Sequence, residues 1–512
     1  MKNTNSSSNK TENNVKDQNI DNTVNKKNSN VKSQNTDSGI KKTNSNIKNM
    51  DDTTNKIDIS KSKTKKARST KKKKRKINYQ KIFNFVSFIF IMVCIFWYGG
   101  RFVYYYLDSK ETDVVEANSI SLQLITANKD KETFRQVDNS YYFYEKADNN
   151  YVSYSNILWR IIKINEDGSV SLIADSVVGA LAYGEEAVYQ NSPVIRWLNA
   201  GDSNYSGIFE NILHKKENYL IKNTTCIDSI SDVNNLTCNE KNSDYYLGLL
   251  SIEDYANTGG KNSFINNERY TYLANQNAEN QVWYLTQEGT LDTTDGDDVF
   301  GIRPVITLSP TLIFTSGTGT STDPYRFSDE NAFIGSYVKL GEDIWRVYEE
   351  KDGIVKLRLN DYLKVDNEVL QYAYSNNTYY HNDTKNGSLA YYLNKTYLNS
   401  LSYKDLVVEN LYTNGYYGEE SGYDYTSILE KTIKTKVSVP SMGEIIWNET
   451  IENYFTSTGA SSTSSLVYVM KGLGAVTRKN VNSESSVVPC ISILRDVLKV
   501  GTGSLEDPYR TE

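Results

Sequence analysis

The chain has 512 residues, with 40 tyrosines, two histidines, four cysteines and a formal net charge of -6. Its length leaves room for two or three domains. No P-loop, G-x-S-x-G, H-E-x-x-H or dinucleotide-binding fingerprint is present, which excludes the enzyme classes that depend on these motifs. One explanation for the abundant tyrosine is AT-biased coding of the kind found in low-GC bacteria, and stacking on sugar rings is the functional alternative.

The first 81 residues form a polar and basic tail. They hold 22 Lys and Arg against 7 Asp and Glu, whereas the rest of the chain holds 35 basic and 56 acidic residues. Residues 1–60 contain almost no aromatic side chains and cannot bury enough apolar surface to fold, so we expect disorder. Residues 61–76, KSKTKKARSTKKKKRK, favour anionic lipid headgroups over nucleic acid as their partner, because an apolar segment follows directly.

That segment, residues 82–98, is the only apolar run of bilayer length, IFNFVSFIFIMVCIFWY. As a helix it spans roughly 25 Å, and tyrosine and tryptophan at its end suit a membrane interface. The basic residues before it predict a cytoplasmic N-terminus and an extracellular C-terminal part. No small-x-small cleavage site follows, so we predict an uncleaved, single-pass signal anchor at 82–100 in the cell membrane.

The remainder divides into a stalk at 101–139 and two tandem repeats at 140–328 and 333–512. Within the stalk, SISLQLITA (residues 119–127) fits a short strand or a helix equally well. Each repeat opens with two β-rich runs joined at an Asp-Gly turn, residues 151–173 and 337–359, which predicts a β-hairpin.

Later segments of the two repeats also correspond in order. A Leu-Asn helix is followed by a strand with a Ser-x-x-Glu capping signal, a further strand, and a closing strand that leads to GTG-x-x-x-DPYR. We expect DPYR to form a turn that closes each repeat, with glycine supplying a positive φ. The paired segments are SPVIRWLNAG and LAYYLNKTYL, LGLLSIEDY and VSVPSMGEI, VWYLTQEG and LVYVMKGLG, and GIRPVITL and VVPCISIL.

These motifs resemble an uncharacterised domain of surface and secreted proteins in Gram-positive bacteria. The first repeat carries the complete set: a W-R hairpin, an R-W-L-N helix, L-L-S-x-E, W-x-L and G-I-R-P-V. The second repeat is degraded, since Tyr468 replaces the strand tryptophan and Val488 replaces the arginine of the last motif. The residues that carry the resemblance are Trp159, Arg160, Arg196, Trp197, Trp283, Arg303, Trp345 and Arg346.

The order of the motifs is also distantly similar to the formylglycine-generating and C-type-lectin-like superfamily. This similarity implies an α+β fold class, here two tandem compact β-rich domains with long loops, and a ligand-binding role. The copper-dependent cysteine pair of formylglycine-generating enzymes has no evident counterpart, which argues against that oxidase activity. We expect the tryptophans and arginines of the motifs to be structural, with Arg303 paired to a buried carboxylate.

Two further sets of residues are candidates for chemistry. Cys226 and Cys238 could close a short loop as a disulfide outside the cell, with two independent thiols as the alternative, and Cys490 fits a buried strand. An acidic loop before the last strand of repeat 1 is a weak candidate for Ca²⁺, with a solvated loop as the alternative. Its carboxylates are Asp292, Asp295, Asp297 and Asp298. Neither His214 nor His381 has a metal ligand at suitable spacing, so we expect no role in zinc binding or catalysis.

The sequence therefore predicts a membrane-anchored, non-enzymatic surface protein that binds an extracellular glycan or protein ligand. One alternative is an envelope scaffold that couples the basic cytoplasmic tail to the outer domains. A second is an extracellular enzyme with an unrecognised carboxylate site around Glu253 and Asp254.

Overall fold

A computed structural model describes residues 119–184, 186–200, 207–328, 331–375, 387–444, 451–462, 465–472 and 475–512. It also describes helical pieces at 80, 83–85, 87–90 and 92–93, where Phe83, Phe85 and Phe90 are exposed. About half of the predicted membrane segment and the whole tail at 1–79 lie outside the described residues. Within the described part of the chain, no helix is both long and apolar enough to cross a bilayer.

The described chain is rich in β-structure and carries several separate sheets, with sheets in each of the two repeats. In the first repeat fourteen strands are defined. They are β1 (Phe134–Val137), β2 (Ser140–Phe143), β3 (Tyr151–Tyr154), β4 (Ile157–Ile164), β5 (Val170–Ala174), β6 (Gly179–Ala182), β7 (Leu220–Ile221), β8 (Thr225–Cys226), β9 (Lys241–Asn242), β10 (Thr271–Gln276), β11 (Val282–Leu285), β12 (Leu291–Thr294), β13 (Val299–Ile302) and β14 (Val305–Leu308).

The second repeat continues with fourteen more strands. They are β15 (Tyr337–Leu340), β16 (Asp343–Lys351), β17 (Ile354–Leu359), β18 (Lys364–Val365), β19 (Glu368–Val369), β20 (Gln371–Ala373), β21 (Asn410–Thr413), β22 (Thr432–Thr435), β23 (Val437–Ser438), β24 (Tyr454–Gly459), β25 (Leu466–Gly472), β26 (Ala475–Asn480), β27 (Glu484–Ser486) and β28 (Cys490–Leu494).

The helices are short, and most of them lie between strands in the order of the chain. They are α1 (Ile120–Asn128), α2 (Pro193–Asn199), α3 (Lys216–Tyr219), α4 (Ile252–Asn257), α5 (Leu389–Tyr392), α6 (Leu398–Ser400) and α7 (Thr426–Leu429), with π-turns at Ile208–Ile212 and Leu393–Tyr397. Because α5, the second π-turn and α6 are contiguous, they form one irregular helical segment that bears several tyrosines.

The two repeats share a core sheet topology, to which repeat 1 adds β1, β2 and β7 and repeat 2 adds β23. One sheet runs β3-β4-β5-β14 in repeat 1 and β15-β16-β17-β28 in repeat 2. The other runs β12-β11-β10-β13-β6 and β26-β25-β24-β27-β20, and in each case the central pair, β10 with β13 and β24 with β27, is parallel. The predicted hairpins are present as β4–β5 and β16–β17, with Gly168 at φ +80° and Gly353 at φ +74° in their turns. The internal duplication is therefore a duplication of structure.

The closing turns are also duplicated. Gly317 and Gly501 adopt positive φ, as predicted, and the aspartate of each DPYR accepts a hydrogen bond from the backbone of the Gly-Thr-Gly segment. Asp323 pairs with Arg326 at 3.1 Å, and Asp507 pairs with the last arginine of its own motif at 3.0 Å. These hydrogen bonds hold the pKa of both aspartates below the ordinary value.

The segment at 119–127 is helical, which settles the choice left open by its sequence. Ser119 caps α1 by accepting from Leu122 N–H, and Ile120 and Leu124 are buried in the first repeat. Because β1 pairs with β2 and extends the first sheet, the folded body includes residues that the sequence pattern assigned to the stalk.

The two repeats pack against each other through buried side chains. One cluster of buried apolar residues extends through both repeats and includes Trp159 of repeat 1 and Trp345 of repeat 2, and repeat 1 has a second, smaller cluster of its own. The N–H of Ala182 donates to the hydroxyl of Tyr417 at 2.7 Å, and Arg196 pairs with Asp424 at 3.5 Å. Strand β6 of repeat 1 therefore meets repeat 2 at an interface that is partly buried and partly charged.

Candidate functional site

A concave pocket of about 560 Å³ opens in the second repeat. Three elements line it: the turn from β15 into β16, the chain that follows β17, and the helical segment formed by α5, the π-turn and α6. Acidic, amide, hydroxyl and aromatic side chains converge there, as in sites that orient a small ligand through a few polar groups. The polar and aromatic lining residues are Glu342, Asp343, Asn360, Asp361, Tyr362, Lys364, Tyr392, Tyr397 and Ser400.

Asp343 is held by an ordered hydrogen-bond chain. The indole N–H of Trp345 donates to the hydroxyl of Tyr403 at 3.2 Å, and that hydroxyl donates to Oδ2 of Asp343. Trp345 is fully buried on β16, and its ring meets that of Tyr403 edge to face. Burial, then Tyr397 and Asp343, raise the pKa of Tyr403, so this phenol remains a donor at neutral pH. The fold thus fixes one carboxylate oxygen in a defined position.

The second oxygen of this carboxylate, Oδ1 of Asp343, accepts no hydrogen bond from the part of the chain that the structure describes. The residue is half-buried and lines the pocket. A carboxylate oxygen at such a position can accept a hydroxyl or an N–H group of a ligand, and hydrogen bonds to a charged acceptor are stronger than neutral ones.

Tyrosines supply the aromatic surface of the pocket. Tyr392 and Tyr397 come from the helical segment, and Tyr362 comes from the chain after β17, where its hydroxyl accepts from the N–H of Glu452 at 2.7 Å. Tyr392 packs against Tyr372 with ring centroids 4.9 Å apart. Burial, followed by the charge of Asp343, raises the pKa of Tyr397. The site therefore combines fixed aromatic rings with a fixed acceptor.

Ion pairs at the rim of the pocket are exposed. Lys364 contacts Asp361 at 2.6 Å, and Lys339 contacts Glu342 at 3.2 Å. Exposed pairs of this kind contribute little to stability because water screens them. Among the carboxylates that line the pocket, Asp343 is therefore the one that has no ion-pair partner within the described residues.

The corresponding place in repeat 1 is built differently. Ile157 stands where repeat 2 has Asp343, and Asn156 stands where it has Glu342. The Asn156 amide donates to the carbonyls of Ala332 at 2.7 Å and Ile334 at 2.9 Å, so the linker between the repeats contacts this turn. The acidic lining is therefore a property of repeat 2.

Most of the tryptophans and arginines of the sequence motifs are in structural positions. Trp159 is buried and donates to the carbonyl of Tyr154 at 3.0 Å, and Trp197 is 1 % exposed. Arg160 lies 3.6 Å from Asp175, while the guanidinium of Arg346 stacks on Tyr337. Trp283 is half-buried and donates to the carbonyl of Ile230 at 3.0 Å, whereas Arg196 lies at the exposed edge of the contact between the repeats.

The expectation that Arg303 pairs with a buried carboxylate is wrong in detail. Its guanidinium donates to the backbone carbonyls of Ala174, at 2.8 Å, and Ile265, and it makes no ion pair with the described residues. Burial lowers the pKa of Arg303 to about 10, against the opposing charge of nearby Asp175. Carbonyl acceptors that arrive from distant strands cannot be read from the local sequence.

The acidic loop does not gather its carboxylates. Asp292 accepts from the hydroxyl of Tyr284 at 3.2 Å, Asp295 accepts from Gln281, and Asp298 accepts from Thr294 at 2.6 Å. No three of the four aspartates at positions 292, 295, 297 and 298 bring their oxygens within 4.8 Å of one another. Ca²⁺ needs six or more converging oxygens, so this arrangement does not form the calcium site considered from the sequence.

Cys226 and Cys238 are joined in a disulfide, with Cα atoms 5.6 Å apart. Asp228 lies beside them and accepts from the N–H groups of Asn239 and Glu240. Within the described residues, Cys226, Cys238 and Asp228 are the one set of three potential metal ligands whose ligand atoms lie close together. Because both sulfurs belong to the disulfide, neither is available as a thiolate ligand. Cys490 is a free, fully buried thiol.

His214 does not line the pocket. In repeat 1, the N–H of His214 donates to the hydroxyl of Ser155 at 2.8 Å. His381 lies outside the described residues. The sequence did not identify the residues of the pocket, because Asp343, Tyr397 and Tyr403 come from separate segments of the chain. The one signal in the local sequence is that Asp343 is acidic where repeat 1 has Ile157.

No protein-family model matches the chain, and it matches none of the curated proteins or solved structures with which it was compared.

Proposed function

We propose that the chain is a membrane-anchored cell-surface protein that binds a glycan or another hydroxyl-rich envelope component at the pocket of its second repeat. The observation that carries the proposal is the Asp343 carboxylate, fixed on one side by Tyr403 and unpaired on the other, among the rings of Tyr392 and Tyr397. Sugar rings present apolar C–H faces that stack on aromatic rings, and hydroxyls that donate to carboxylates.

The anchor and the fold assignment belong to the same proposal. The apolar run at 82–98 with its basic flank supports a single-pass anchor with both repeats outside the cell. A disulfide between Cys226 and Cys238 suits an oxidising exterior. Short helices and long loops on small sheets are compatible with the C-type-lectin-like resemblance, and ligand binding in a pocket between loops would be in keeping with it.

The proposal is tested by screening the full-length chain, purified in a mild detergent, on an array of bacterial and host glycans and on insoluble peptidoglycan. Ser400→Trp places a large ring in the mouth of the pocket from an exposed position, so we expect it to abolish a signal given by the native chain. Asn399→Trp is the matched control, because Asn399 is adjacent and exposed but does not line the pocket.

A signal that survives Ser400→Trp would place binding elsewhere on the molecule. If the native chain bound no glycan and no envelope polymer, the proposal would be wrong, and a partner captured only through residues 1–81 would then support the scaffold alternative.

A further inference from the structure

A lysine and an aspartate are in direct contact in the first repeat. The Nζ atom of Lys163 lies 2.7 Å from Oδ1 of Asp254, and only 16 % and 12 % of the two side chains are exposed. Transfer of such a pair from water costs free energy that the attraction between the charges offsets only in part. The contact therefore holds two reactive groups together in a site with little water.

Three elements fix this geometry. Lys163 lies on β4 directly opposite Tyr142 of β2, and the Tyr142 hydroxyl donates to Oδ1 of Asp254 at 2.9 Å. Asp254 is held at the start of α4, where its N–H donates to the hydroxyl of Ser251, the N-cap residue. The lysine nitrogen also lies 5.5 Å from the centre of the Tyr142 ring. The amine, the carboxyl group and a hydrogen-bond donor are thus positioned by the fold itself.

A second carboxyl group is adjacent. Glu253 precedes Asp254 in the first turn of α4 and is partly buried, and it interacts electrostatically with both Asp254 and Lys163. Burial first, and then the charge of Asp254, raise its pKa above the ordinary value. A carboxyl group whose pKa is shifted towards neutrality can accept and return a proton.

The second repeat keeps the charges but changes the geometry. Glu444 occupies the position that Asp254 has in repeat 1. Its positively charged partner is Lys356, which lies on β17 opposite Glu349 of β16. Lys356 lies 3.8 Å from Glu444 and 3.0 Å from Glu349, so it is shared between two carboxylates. Of the two repeats, repeat 1 is therefore the one in which a single amine, Lys163, closely contacts a single carboxyl group, Asp254.

We propose that Lys163 and Asp254 condense spontaneously to form an intramolecular amide bond that joins β4 to α4. The ammonium and carboxylate groups become one amide and one water molecule, with no change in oxidation state and no further reactant. The bond that forms links Nζ of Lys163 to Cγ of Asp254, and the bond that breaks is the C–O bond of the leaving hydroxyl.

The reaction passes through the neutral forms of the two groups. The Nζ lone pair attacks Cγ, and the Tyr142 hydroxyl donates to the carboxyl oxygen on which negative charge develops. Glu253 takes a proton from the nitrogen and delivers it to the leaving hydroxyl, which departs as water. Because the Lys163 amine already contacts the Asp254 carboxyl group at Oδ1, little entropy of approach is lost, and this raises the rate.

The test is the intact mass of the full-length chain after reduction and denaturation. We expect it to be lighter than the sequence by one water molecule, and a protease digest should contain a branched peptide that joins the segments around Lys163 and Asp254. A mass equal to that of the sequence, with no branched peptide, would mean that the contact is an ordinary ion pair and would overturn the proposal.

Matched variants make the test specific. Lys163→Arg keeps the positive charge but should remove the mass deficit, whereas Lys356→Arg in the second repeat should leave it unchanged. Asp254→Asn should lose one ammonia molecule in place of water, because its leaving group differs. A deficit that persists in Lys163→Arg would assign the lost water to another site and exclude this one.

Discussion

Asn199 and Asn394 make the same three hydrogen bonds in the two repeats. Each side-chain amide donates to the carbonyl four residues earlier, at 3.0 Å in both cases, and to the carbonyl of one residue in a later segment at 2.9 Å. Each side-chain oxygen accepts the N–H of that same later residue, which is Leu247 in repeat 1 and Val437 in repeat 2. The Leu-Asn signature of the sequence therefore joins a helical segment to a later segment of the chain.

We expect Asn199→Ala and Asn394→Ala each to destabilise the fold by about 1–3 kcal/mol, because the side-chain hydrogen bonds to the N–H and the carbonyl of the buried residue Leu247 or Val437 are lost. Denaturant unfolding of the full-length chain measures this change. Asn399→Ala is the control: its amide bonds only to the carbonyl of Lys395 at an exposed position, so the expected change is within about 0.5 kcal/mol. Equal effects in all three variants would contradict the account.

The contact between Ala182 and Tyr417 predicts that the two repeats unfold together. Tyr417→Phe removes the acceptor of a buried N–H, which costs about 1–3 kcal/mol. Hydrogen exchange should show faster global opening of strands in both repeats. Tyr416→Phe is the matched control, because Tyr416 is half-exposed and its hydroxyl makes no hydrogen bond with the described residues. Faster exchange confined to the second repeat would show that the repeats are independent.

Tyr468 predicts a loss of stability at alkaline pH. Burial raises its pKa from 10.0 to about 12. Because the folded state holds this proton more tightly than the unfolded state, the resulting stabilisation is complete below pH 10 and is lost as the pH rises towards 12.

Tyr468→Phe should flatten the decline in unfolding free energy over that pH window. The hydroxyl is buried without a hydrogen-bond partner among the described residues, so the variant should be as stable as the native chain, or slightly more stable, at pH 7. An unchanged alkaline slope, or a marked loss of stability at neutral pH, would contradict this assignment.

The local architecture could be predicted from the sequence, because its signals are contiguous. Asp-Gly turns mark the hairpins, Ser251 marks the start of a helix, and the glycines before DPYR mark the closing turns. The pocket could not be predicted, since Asp343 and Tyr403 are brought together only by the fold. The interface between the repeats could not be predicted either, because Ala182 and Tyr417 are 235 residues apart in the sequence and meet only in the fold.

The fate of the acidic residues illustrates the same limit. The aspartates at 292–298 are dense in the sequence but are held by separate partners, whereas Asp343, which has Glu342 as its one acidic neighbour in the sequence, lies in a pocket. Acidic residues that are close in the sequence need not have side chains that meet in space, because the meeting depends on how the fold arranges separate segments. The tandem organisation was readable because each repeat carries the same order of motifs, and that order is preserved in the sheets.

The most direct test of the central claim is a calorimetric titration of the glycan that gives the strongest array signal, against the native chain, Asp343→Asn and Glu409→Gln. Asp343→Asn keeps the shape of the side chain but removes its charge, so we expect a loss of about 1.5–3 kcal/mol, or roughly tenfold to a hundredfold in affinity. Glu409→Gln lies outside the pocket and should bind like the native chain. Unchanged affinity in Asp343→Asn would contradict the assignment of the pocket as the binding site.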